Sequence, residues 1–246
     1  MPLFGTLDIA SALKNAPTVT DLTPDTWALP GAEVLQVSYE VREDPALAIT
    51  PPALHPSIPP YATFSFIRCP ESPVGPFTIA MIRLIVRAGI RPRGLLVSAY
   101  VDSEQAANGL ATGWGYKTQL ADVQFTARHN LISGQVTIDG AVGLKAGLTD
   151  PEPVIPTDIE LFDNLHLTNV ADEDAVIVQV DPGYTYTKAD RGGADLTTFD
   201  PAVLGIAGIE PVYRLVAVAC GADIELAAPR FVIDPEQPAF RGTRRL

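Results

Sequence analysis

A chain of 246 residues, 47% hydrophobic and 19% charged, has the material for one large core and is not the composition of a disordered protein. Its formal charge of −12 repels phosphate backbones, so no nucleic-acid partner is expected. Two cysteines, Cys69 and Cys220, lie far apart without metal-ligand spacing, which argues against a disulfide framework and for a reducing compartment.

The N-terminal stretch MPLFGTLDIASALKN has neither the basic start nor the apolar run of a signal peptide. No segment approaches the roughly 20 apolar residues that span a bilayer. A cytoplasmic protein with no membrane partner is expected. With 23 prolines and few long amphipathic patterns, strands and ordered loops are favoured over helices.

Residues 5–15 predict a short amphipathic helix, at the head of an N-terminal lead-in that runs to residue 31. Residues 32–41 alternate apolar and polar, as a half-buried strand does. The proline-punctuated stretch 42–60 predicts one helical turn and a loop. Strands follow at 61–69, 77–89 and 94–102, the last continuously apolar and expected to be buried on both faces. The strongest helix signal is 103–115, with Ser103 as N-cap and an end near Gly113 or Gly115.

Further strands are predicted at 121–128, 131–140, 141–147, 157–167, 175–188, 211–226 and 230–234, with a short helix within 199–207. Ser133-Gly134 and Asp139-Gly140 both suit tight hairpin turns. Residues 236–246 form a basic tail that ends RGTRRL and reads as solvated. No repeat or composition break divides the chain.

Three stretches resemble the acetoacetate decarboxylase family. YVDSEQAANGLATGWGY (100–116) looks like the family's helix that ends in an aromatic before its catalytic lysines. TPPALHP (50–56) is similar to its segment after the first strand, and ADIELAAPRFVID (222–234) to its closing strand. The resemblance covers about 32–234. It implies an α+β single domain, a large mostly antiparallel β-sheet or barrel with few helices, no cofactor, a small-molecule substrate and a homo-oligomer.

In that family two adjacent lysines follow an aromatic-proline pair, and the first forms a Schiff base with a ketone. A neutral amine is needed, and a neighbouring cation depresses the lysine pKa. An ungapped match puts Lys117 on the family's proline, Thr118 on the nucleophile and Gln119 on the second lysine. Two cavity carboxylates fall at Phe64 and Ile79, and an arginine near Ala32. Every charged catalytic group is replaced.

The candidate catalytic residues are therefore Tyr116, Lys117, Thr118 and Gln119, carried to a central cavity by the helix at 103–113. Tyr116 could orient a carbonyl or simply pack, and Lys117 reads more naturally as a surface lysine beside a turn. Candidate substrate-binding residues are Phe64, Arg68, Ile79, Arg83 and Trp114. By strand parity Arg68 shares the face of Phe64, and Arg83 that of Ile79; each would need an anion, most simply an acidic side chain. His55, His129 and His166 are scattered, and no metal site is expected.

Three functions fit. One is an enzyme with a repurposed apolar cavity acting noncovalently on a hydrophobic oxo-substrate, of cyclase, dehydratase, isomerase or lyase type. The others are a Schiff-base decarboxylase of a β-keto acid using Lys117, and a non-catalytic small-molecule binder.

Overall fold

The computed structural model describes residues 3–128, 130–171 and 174–246. Its first helix, α1 (Ile9–Ala12), starts at Asp8, whose carboxylate accepts from the Ser11 N–H; a 3-10 turn (Leu13–Asn15) and strand β1 (Thr18–Val19) follow. The helix expected over 5–15 is shorter because only Ile9 of α1 is buried, too little apolar surface to hold a longer one. β2 (Trp27–Val41) begins earlier than predicted, so residues 27–31 of the expected lead-in lie in the sheet. Gly31, at φ +64°, supplies the kink that lets the strand run through Leu29-Pro30-Gly31.

α2 (Glu43–Ala48) is the predicted helical turn, and β3 (His55–Pro56) is a short bridge. β4 (Tyr61–Cys69), β5 (Phe77–Arg87) and β6 (Pro92–Val101) follow the sequence pattern closely. α3 (Glu104–Trp114) is capped as expected: the Ser103 hydroxyl accepts from the Ala106 N–H, and Gly115 closes the helix in the left-handed conformation. β7 (Thr118–Leu120), β8 (Asp122–Arg128), β9 (Leu131–Ile138) and β10 (Ala141–Pro153) come next.

Asp139 and Gly140, both at positive φ, make the tight turn between β9 and β10. Ser133-Gly134 does not turn; it lies inside β9. A Cβ on Gly134 would sit 2.2 Å from the ring of Phe66, which is fully buried. This glycine serves packing rather than chain reversal. Gly134→Ala is expected to lower stability by about 1–3 kcal/mol, the usual cost of overpacking, read as a fall in the urea midpoint.

The second half holds a 3-10 turn (Pro156–Asp158), β11 (Asn164–Val170), β12 (Val176–Val180), β13 (Gly183–Phe199) and α4 (Pro201–Leu204). The strand expected over 157–167 thus starts only at Asn164. β14 (Pro211–Leu226), β15 (Phe231–Ile233), α5 (Ala239–Gly242) and β16 (Thr243–Arg245) complete the chain. The basic tail is not a loose end: β16 pairs with β15, although its side chains are exposed.

All described strands join in the order β16-β15-β12-β11-β6-β5-β4-β2-β14-β13-β10-β9-β8, with β1 on β11, β3 on β5 and β7 on β6. Pairing is antiparallel except for β1 with β11, β6 with β11 and β6 with β7. The domain is a single one of mostly antiparallel strands with few helices.

Alternation on β4 and β5 separates two apolar cores. Phe64, Phe66, Ile82 and Leu84 face one, which β8, β9 and β10 close over with Val123, Val136 and Leu144. Ile79 and Met81 face the other, sealed by Ala106, Leu110 and Trp114 of α3.

One irregularity positions the site. The ladder from β6 to β11 ends at Leu95, and the ladder from β6 to β7 begins at Ala99. Against β5 the register slips in the same place, Leu96 facing Arg83 and Ser98 facing Ile82, so Val97 is an extra residue. The sheet forks there, and the turn Gly115-Tyr116-Lys117 enters the fork.

Candidate functional site

Arg83 projects from β5 to the α3 side and is 3% exposed. Its Nε donates to Thr63 Oγ1 at 3.2 Å. One terminal nitrogen donates to the Phe162 carbonyl and to Asn164 Oδ1, both at 2.8 Å. The other donates to Gln36 Oε1 at 2.8 Å and Ser65 Oγ at 2.6 Å. Five donors meet five neutral acceptors. No carboxylate forms an ion pair with Arg83 among the described residues. Burial pulls its pKa down, yet a guanidinium starts high enough to stay charged. The result is a buried cation hydrogen-bonded to neutral dipoles, with Asp163 near enough to favour its charge without pairing.

That cation orients its neighbours. Because Asn164 Oδ1 accepts from Arg83, the amide N–H groups of Asn164 are directed away from the guanidinium. A hydrogen bond from Asn164 and the positive Arg83 both favour the Tyr116 phenolate, but burial outweighs them and pushes the phenol up. Burial likewise raises Tyr184 above its ordinary value, against the pull of Arg83. Tyr116, Asn164 and Tyr184 are the polar edges of a cavity of about 30 Å³, with walls that include Ile79, Met81, Leu110 and Ile224. Cys69 also lines it as a thiol, pushed up to about 12 by burial.

Behind Tyr116 stands His166, 1% exposed, its ring centroid 4.2 Å from that of Tyr116. Its Nδ1 lies 2.7 Å from the Trp114 carbonyl, which only accepts, so Nδ1 carries the proton. Nε2 is then bare, and it has no partner among the described residues. Burial lowers the imidazole to about 4, so the ring is neutral at physiological pH.

On the far side of His166, in the fork, is a second cavity of about 220 Å³. Lys117, Gly115, Leu95, Val97 and Leu167 line it together with Ile49 and Ile206.

The acetoacetate decarboxylase (ADC) family profile matches residues 12–234. The chain belongs to the acetoacetate decarboxylase family. Solved structures agree on the fold. Acetoacetate decarboxylase from Legionella pneumophila subsp. pneumophila str. Philadelphia 1 superposes with a TM-score of 0.75 at 18% identity, over 87% of this chain and 90% of that one. The enduracididine biosynthesis enzyme MppR complexed with pyruvate gives 0.68 at 18% identity, over 85% and 90%. An acetoacetate decarboxylase-like enzyme from Sphingomonas wittichii RW1 gives 0.62 at 14% identity, over 85% and 94%. No curated protein matches the chain. At these identities the neighbours speak for architecture alone.

Within this family fold the residues singled out from sequence divide. Tyr116 and Ile79 line the small cavity, and Arg83 lies just behind it. Arg83 has dipoles where an acidic partner was expected. Phe64 does not belong there: opposite residues of an antiparallel pair share a face, and Phe64 sits opposite Ile82 in the other core. It packs edge-on against Phe199 instead. Arg68, on the same face as Phe64, lies at the strand end, bonded to Glu33 and 5.6 Å from the Phe125 ring centroid.

Trp114 is a packing residue. Its indole N–H donates to the Ala227 carbonyl at 2.8 Å, and it meets Trp27 edge-on. Thr118 turns its hydroxyl to the Ala107 carbonyl, at 3.1 Å. Gln119 is exposed, donating to Ser98 Oγ at 3.3 Å. Neither is among the residues that line the Tyr116 cavity; both lie on β7, paired with Ala99 and Tyr100 of β6. Lys117 faces the fork cavity rather than the Tyr116 cavity.

His55 bonds the Leu3 carbonyl through Nδ1, and His129 lies outside the described residues. Among the described residues no three His, Cys, Asp or Glu side chains cluster as metal ligands, and no helix is long and apolar enough to cross a membrane.

Sequence reasoning missed Gln36, Asn164, His166 and Tyr184. The signal for two of them was present. Asn164, His166 and Thr168 alternate with Leu165 and Leu167, a polar stripe on a strand buried on both faces. Buried polar residues at period two ask for partners.

Proposed function

We propose that the chain is an enzyme acting noncovalently on the carbonyl end of a hydrophobic oxo-substrate, bound at Tyr116, Asn164 and Tyr184. The supporting observation is the buried Arg83, which forms no carboxylate ion pair among the described residues, bonds Asn164 and favours the charged form of the neighbouring Tyr116. Negative charge developing on a substrate oxygen beside these groups meets a fixed cation and oriented donors in a dry site. Such preorganised stabilisation is usually the largest contribution to catalysis.

Among the described residues the walls supply no group that is an ordinary base near neutrality. Cys69 stays a thiol, and both tyrosines are raised. The chemistry that suits the cavity is therefore one in which a basic group of the substrate itself, or water, takes the α-proton as the enolate-like oxyanion forms beside these donors, and gives a proton back when the oxyanion collapses. Cyclisation, isomerisation, dehydration and lyase reactions can all run this way. A non-catalytic binder would share the cavity, and turnover of an oxo-substrate separates the two.

The Schiff-base reading needs a reactive amine at Tyr116, and Lys117 faces the other cavity. Borohydride with acetoacetate or acetone is expected to add no mass to Lys117. Lys117→Ala is expected to keep turnover of the native substrate within about threefold, a change under 1 kcal/mol in the barrier. Mass attached at Lys117, or turnover abolished in a folded Lys117→Ala, would replace this reading with the decarboxylase one.

A further inference from the structure

The geometry points to a second small-molecule site in the fork between β6 and β11, which takes a short monocarboxylate. Three observations carry it. The cavity there measures about 220 Å³, several times the one at Tyr116. Leu7, Ile49, Leu95, Val97, Leu167 and Ile206 give it an apolar wall, and among the described lining residues Lys117 is the one lysine or arginine. Lys117 forms no ion pair among the described residues.

The fork explains why the space stays open. Between Leu95 and Ala99 the extra residue Val97 bows β6, and the edge that faced β11 has no strand partner until β7 arrives. His166 closes the floor with a neutral ring, so it adds no second charge.

Charge and shape set the ligand class. One ammonium balances one negative charge. A phosphate ester would bring a second charge into an apolar wall without a partner, at high desolvation cost. A carboxylate on an aliphatic body of a few carbons places its head on Lys117 and its tail against Ile49, Val97 and Ile206. Tyr116, Asn164 and Tyr184 take no part, so the site stands whether or not the proposed chemistry does.

Calorimetric titration of the full chain with hexanoate, and with hexanamide as its uncharged counterpart, tests this. Hexanoate is expected to bind about fivefold more tightly than hexanamide, the difference one modest ion pair makes. Lys117→Gln should bring the two within about twofold, while Lys117→Arg keeps the preference. Ile206→Trp, which fills the cavity from an adjoining loop, should abolish binding of both. Tyr184→Phe should leave hexanoate binding unchanged.

Absence of hexanoate binding at about 10 mM to the folded wild-type chain, a concentration that fills even a weak site, overturns the proposal. So does hexanoate affinity that Lys117→Gln leaves intact, or that Tyr184→Phe removes.

Discussion

Arg83→Leu is expected to cost the fold about 3–5 kcal/mol, as much as removing a large core side chain. The leucine would fit an apolar face, but it would strand five acceptors. Thr63, Ser65, Gln36, Asn164 and the Phe162 carbonyl all turn toward the guanidinium, and each sits in a place water reaches poorly. An orphaned buried polar group costs about 1–3 kcal/mol, and partial relaxation keeps the total below the sum. Arg83→Lys should recover only part of the loss, since three donors cannot serve five acceptors in a fixed fork. Urea unfolding at neutral pH measures both. A loss for Arg83→Leu below about 1 kcal/mol would show that the cradle is not formed in solution.

Acid should unfold the protein by a route that His166 dominates. Its imidazole titrates near 4 when folded, against 6.5 for an ordinary histidine. The unfolded chain therefore binds the proton first as pH falls, so stability is full above about 6.5 and declines toward 4. The drop is about 3 kcal/mol, from 1.36 kcal/mol per pKa unit. Asp163 works in the opposite sense, since burial raises its carboxyl. For this reason the measurement is a difference between the wild-type chain and His166→Gln, a variant that cannot titrate at this position. The wild type should lose more stability between pH 7 and 4. Equal slopes in the two proteins would mean that the ring is hydrated rather than sealed between Trp114 and Tyr116.

Where local chemistry decides the structure, the sequence was readable. Strands at 61–69 and 211–226 begin and end where the apolar pattern does. Ser103 caps α3 through its hydroxyl, and Gly115 ends it because a residue without a Cβ takes the left-handed turn freely. Ser133-Gly134 misled because glycine's other use, making room for a ring from a distant strand, leaves no local mark. The parallel pairing of β6 is invisible for the same reason: nothing in residues 92–101 names β11 or β7 as neighbours.

The site was half legible. Tyr116, Ile79 and Arg83, singled out by resemblance and parity, lie at or just behind the small cavity, whereas Phe64 faces the other core through the pairing of β4 with β5, which only the register reveals. Thr118 and Gln119 took their places from an alignment, and the fold gave those places to a strand. Asn164 and Gln36 matter because they converge on one guanidinium from strands more than a hundred residues apart, and convergence is not a property of any window of sequence.

The position of β2 between β4 and β14 has a consequence for the chain during its synthesis. β4 is available almost at once, but the other flank of β2 is covered only by residues 211–226. At roughly 5–20 residues per second, the ribosome needs on the order of ten seconds or more to deliver them. For that interval Val34, Leu35 and Val37 stand on a strand with one open edge, a template for any passing extended chain. A nascent chain arrested before residue 211 should therefore be captured by chaperones that ignore the finished protein.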